Sequence, residues 1–93
     1  MSTLANVVSF HADATGTMSA GPYNLAGYQV SPGGTAGEIT FRDGGASGTV
    51  RMIVHITTNT AVIATIIPGT GIRFYNDIHV TLPTGASVTI FCG

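Results

Sequence analysis

The chain has 93 residues, 44% of them hydrophobic and only 8% charged, with three arginines, no lysine, four acidic residues and a formal net charge of −1. That length holds one domain, residues 1–93, and so little charge favours association over life as a free monomer. Three separated arginines form no basic patch for nucleic acid, and no run of about 18 apolar residues exists to cross a membrane as a helix.

Thirteen glycines and many Thr, Val and Ile residues argue against helix and for strands. Residues 1–6 are small or polar and are expected to form an N-terminal arm or edge strand. A strand follows over 6–11, with Val8 and Phe10 inward. Residues 12–19 read as a weak strand or an ordered loop, Gly21-Pro22 as a breaker, and 26–30 as a strand with Tyr28 and Val30 on one face. After the loop at 31–35, residues 38–42 alternate strictly and should bury Ile39 and Phe41. Residues 43–48 then form a flexible turn into a strand over 49–56. There Val50, Met52, Val54 and Ile56 point inward, and Thr49, Arg51, Ile53 and His55 outward.

Residues 61–67 are apolar on both faces, Val62, Ala64 and Ile66 on one and Ala61, Ile63 and Ile67 on the other. In a small two-layer fold each strand should have one wet face, so Ile63 and Ile67, joined by Ile53 of the neighbouring strand, are expected to meet another subunit. Arg73, on a short strand over 72–75, is positioned to stack on Tyr75 or to pair with an acid across the same boundary.

The chain closes on two alternating segments, 77–82 and 87–92, separated by Pro83 and the Thr84-Gly85 turn. They are predicted to form a hairpin whose inner face carries Ile78, Val80, Leu82, Val88, Ile90 and Cys92. Strands with turn signals every 8 to 12 residues give an all-β fold. The expected form is a single antiparallel β-sandwich, jelly-roll-like or immunoglobulin-like, with seven or eight strands.

Catalytic chemistry finds little support. His11, His55 and His79 fall on predicted outward faces but lie far apart in sequence, without the short spacings of metal ligands, so no metal or other cofactor is expected. Cys92, the one cysteine, sits inward, where a thiol behaves as a small hydrophobe; it excludes an intrachain disulfide. No G-x-S-x-G occurs, and Glu38 and Asp43 flank one strand as residues that solvate its ends. The Gly33-Gly34 and Gly44-Gly45 pairs precede no helix and are turns whose glycines supply positive φ, so they are not phosphate loops. The chain is therefore expected not to be an enzyme.

One resemblance can be drawn on residues 37–93. Glu38-Ile39-Thr40-Phe41-Arg42-Asp43-Gly44-Gly45, then Gly48-Thr49-Val50, then Ile67-Pro68 and the segment from Gly71-Ile72-Arg73-Phe74 to Thr81 resemble a pattern of small all-β virion proteins of tailed bacteriophages. Those motifs are strands and turns. The resemblance implies a virion structural protein made in the host bacterial cytoplasm, foremost a capsid decoration (cement) protein. As such it would be a homotrimer that meets the major capsid protein or another virion protein. A tail, neck or fibre component and a virion-displayed carbohydrate-binding module are the alternatives; the latter lacks Trp and has its tyrosines scattered. On this view Ser2, Thr3, Leu4, Ala5 and Asn6 form the docking arm, able to add a strand to a neighbour's sheet edge. Ile53, Ile63, Ile67, Arg73 and Tyr75 form the subunit interface.

Overall fold

Nine strands and no helix make up the described part of the chain; the computed structural model describes residues 8–34, 36–57, 62–69 and 71–93. In order they are β1 (Val8–Ala12), β2 (Gly16–Ser19), β3 (Tyr23–Ser31), β4 (Gly37–Asp43), β5 (Thr49–Ile56), β6 (Ile63–Ile66), β7 (Ile72–Phe74), β8 (Ile78–Thr81) and β9 (Ser87–Cys92). All pairings are antiparallel and fall into two sheets. Sheet A runs β1-β9-β3-β6 with β7 also on β3, and sheet B runs β2-β8-β4-β5.

The inner faces of both sheets feed one core. Leu25, Val30, Phe74, Val88, Ile90 and Cys92 of sheet A cluster with Ile39, Phe41, Val54, Ile56, Ile78 and Val80 of sheet B. The short axis of the Cα envelope, 18 Å, accommodates two sheets packed about 10 Å apart. An all-β, sandwich-like architecture therefore holds, with one strand more than the seven or eight expected. The additional strand is β2, within the 12–19 segment read as a weak strand or an ordered loop, and the β6–β7 edge of sheet A is interrupted. β6 lies against Gly27–Val30 and β7 against Tyr23–Leu25 along the same side of β3. Between them the Ile67 N–H donates to the Ala26 carbonyl at 2.8 Å. Gly71, at φ 87°, occupies a point where a Cβ would lie 2.3 Å from the Leu25 carbonyl oxygen, so only glycine lets the edge resume.

Several expectations are corrected. Residues 77–92 do not form a hairpin: β8 pairs with β2 and β4, whereas β9 pairs with β1 and β3. Alternation gives each strand an inner face but does not choose its sheet, and these two inner faces meet across the core from opposite sides. The corner around Pro83, closed by the Ala86 N–H on the Pro83 carbonyl at 3.1 Å, carries the chain from one sheet to the other. β4 and β5, joined by the predicted turn, do pair as a hairpin.

Val50, expected in the core, is 43% exposed. The ladder pairs Phe41 with Met52 but Arg42 with Val50, so Arg51 is an extra residue on β5 that reverses the alternation and turns Val50 outward. Ile67, expected outward, is half-buried against the core, while Val62 and Ile66 of the other predicted face are 57% and 85% exposed, so at these residues the predicted sense is inverted. β5 and β6 belong to different sheets, so Ile53 and Ile67 share no face.

Candidate interaction surface

The most heavily engaged polar group lies where β4 ends. Asp43 is 5% exposed, and its carboxylate receives three backbone donors from the β7–β8 connection. Tyr75 N–H reaches Oδ2 at 2.8 Å, and the Asn76 and Asp77 N–H groups reach Oδ1 at 2.8 and 3.4 Å. Arg51 Nη2 approaches Oδ2 at 3.4 Å. In return, Asp77 Oδ1 accepts from the N–H groups of Gly44 and Gly45 at 2.9 and 3.0 Å. Each aspartate thus holds the other's loop.

The hydrogen bond from the Tyr75 N–H, with those from Asn76, Asp77 and Arg51, outweighs the cost of burial and lowers the Asp43 carboxyl to about 2 from 3.8. The expectation of a strand-end carboxylate in water is corrected: Asp43 is the last residue of β4 and is buried, and the turn into β5 occupies residues 44–48. Its buried charge is tolerated because donors surround it.

What this clasp positions is exposed. The Tyr75 ring, 64% exposed, has the Arg51 and Arg73 guanidinium carbons each 5.7 Å from its centroid. Arg51 comes from the bulge of sheet B and Arg73 from the interrupted edge of sheet A. Arg73 is held laterally by Nη1 donating to Asn24 Oδ1 at 3.3 Å. The expected stacking of Arg73 on Tyr75 is present, and a second arginine joins it. Cation–π contacts at exposed sites contribute about 0.5–1 kcal/mol each, so the arrangement orders three long side chains without burying them.

The remaining candidate residues are dispersed. Ile53 is 44% exposed on the outer face of sheet B, opposite Thr40. Ile63 stands opposite Val30 in the ladder. Its side chain lies outside the described residues, as do Ser2, Thr3, Leu4, Ala5 and Asn6. His11 is exposed, with Nδ1 2.8 Å from Thr89 Oγ1, and exposed His55 has Nδ1 3.5 Å from Glu38 Oε2. His79 corrects the expectation of three exposed histidines: it is 7% exposed, flanked in the ladder by Thr17 and Arg42 on a central strand of sheet B. Among the described residues no three His, Cys, Asp or Glu side chains group as metal ligands, and no cleft opens. Burial pushes the Cys92 thiol up to about 11, which removes its nucleophilic form near neutrality.

Sequence reasoning found Arg73 and Tyr75 but missed Asp43, Asp77 and Arg51. The available signal was two aspartates in Asp-Gly-Gly and Asn-Asp turns, residue types that bind loop N–H groups. Which loop each would bind depends on sheet assignment. No family model matches the chain, and neither a curated protein nor a solved structure matches it.

Proposed function

We propose that this chain is a structural assembly protein of a tailed-bacteriophage virion. Its role is capsid decoration: it binds the major capsid protein and its own copies through non-covalent contacts. The observation that carries this reading is the exposed Arg51–Tyr75–Arg73 surface fixed from beneath by a buried carboxylate. A buried ion contributes little net stability, so what this one secures is the position of surface groups. Arginine and tyrosine are the residues that anchor protein interfaces. Tyr23 and Tyr28 pack against the core, so no aromatic platform for a sugar accompanies Tyr75.

The fold type we propose is a jelly roll. Apart from the β4–β5 hairpin and the split β6–β7 edge, successive strands alternate between sheets. That winding is expected of two Greek keys wrapped together, and virion proteins use it widely. The immunoglobulin type instead keeps its first two strands paired in one sheet, whereas β1 and β2 lie in different sheets here.

The test is co-sedimentation of the purified protein with empty expanded heads of the phage that carries it. Saturable binding at fixed stoichiometry supports decoration. Binding to isolated tails instead would make it a tail component, and a monomer that ignores both and binds a glycan would overturn the reading.

A further inference from the structure

Sheet A has an outer face almost without charge. Across β1, β9, β3, β6 and β7 the only Asp, Glu, Lys or Arg is Arg73. On that face one rung joins Ser9, Phe91, Gly27 and Ile66. Phe91 lies over Gly27, where a Cβ would approach its ring to 3.4 Å, and Ile66 beside it is 85% exposed. A solvated sheet face is ordinarily polar and charged; this one carries an apolar stripe.

The charges show what covers it. Arg51 meets Asp43, Glu38 meets His55, Asp77 accepts two loop N–H groups, and Arg42 Nη1 donates to the Gly48 carbonyl at 3.4 Å. Arg42 and Asp77 are thus held, partly buried, by neutral groups, and among the described residues sheet A and its flanking loops keep one exposed ion of each sign without an opposite charge, Arg73 and Asp13. They stand at diagonally opposite corners of sheet A. Arg73 pairs with Asn24 at the start of β3, on one edge. Asp13 follows Ala12 of the other edge strand, at the level where β3 ends.

We infer that the outer face of sheet A binds the same face of a second copy about a two-fold axis, the stripes of Phe91 and Ile66 meeting centrally and Arg73 of each chain pairing with Asp13 of the other. A two-fold contact is self-complementary, so one axis lying in the interface and perpendicular to the line from Arg73 to Asp13 satisfies both ion pairs at once, with the strands of the two sheets crossing. Charge complementarity at the corners sets the register, and the uncharged centre is desolvated at little cost. This inference deepens the assembly reading by naming the self-contact, and it is tested without particles, so that failure to bind heads and failure to self-associate are separate results.

The experiment is sedimentation velocity over a concentration series on the wild type, Asp13→Arg, Arg73→Asp and Ile66→Asp, with circular dichroism confirming that each exposed substitution leaves the β-structure intact. The wild type is expected to form a reversible dimer that weakens as salt rises. Each charge reversal should weaken it at least about tenfold, since like charges then face one another. Ile66→Asp should do the same. Mixing Asp13→Arg with Arg73→Asp chains should restore the dimer, because the mixed pair regains both contacts. A wild type monomeric up to about 1 mM, reversals that associate like the wild type, or a mixture that stays apart would each overturn the inference.

Discussion

Asp43 sits where three parts of the molecule meet: the end of β4, the bulge of β5 and the loop entering β8. Because its carboxyl titrates at about 2 when folded and near 3.8 ordinarily, the unfolded chain takes up the proton first as pH falls. The sign follows: the contribution is fully present above about pH 4 and is lost as pH drops toward 2. Thermal melts of the wild type should therefore lose stability over that window, and Asp43→Asn should lose less there. At neutral pH the asparagine amide places a donor where Tyr75 N–H and Arg51 already donate. It should destabilise by about 1–3 kcal/mol, the usual cost of a buried unmet donor. An Asp43→Asn melt that matches wild type at pH 7 would show that the clasp holds nothing. Of this site, Arg73 and Tyr75 were legible in the sequence because they are neighbours on one short strand. Asp43 and Arg51 were not, because their partners lie 32 and 8 residues away from Asp43 and are chosen by the fold.

At the scale of elements, alternation identified most strands and their inner residues. Ile39, Phe41, Val54, Ile56, Ile78, Val80, Val88 and Ile90 are all buried as expected. It failed where period and partner diverge. β8 and β9 look like a hairpin in sequence because Pro83, Thr84 and Gly85 suit a turn, yet the same residues serve a corner between sheets. One extra residue, Arg51, moved Val50 out of the core without leaving any mark on the pattern. Phe74 and Leu25 went unrecognised as core because β7 is short and β3 carries a register shift between Leu25 and Gly27. Two substitutions test the elements. Phe41→Ala, at a fully buried site where both ladders of β4 converge, should cost about 3–5 kcal/mol, and a melt within a few degrees of wild type would contradict the assigned register. Gly71→Ala forces a Cβ toward the Leu25 carbonyl at positive φ and should destabilise strongly by thermal melt, whereas Gly69→Ala, with open space around it, bears only the φ strain.

For the whole molecule, the economy of charge is the organising fact. Asp43 and Asp77 are spent inward on backbone N–H groups and bind the two loops together, Arg51 and Arg73 are turned outward beside Tyr75, and sheet A faces outward nearly uncharged. Such a surface is what the proposed assembly role would use. The most direct measurement is occupancy of Tyr75→Ala on empty expanded heads, compared with the wild type at matched protein concentration. The ring is exposed, and only its backbone N–H binds Asp43, so the variant should stay folded and lose only the two cation–π contacts, about 1–2 kcal/mol. We predict at least a tenfold loss of occupancy, the scale of one interface anchor residue. Occupancy equal to wild type, in a variant shown to be folded, would contradict docking through the Arg51–Tyr75–Arg73 surface.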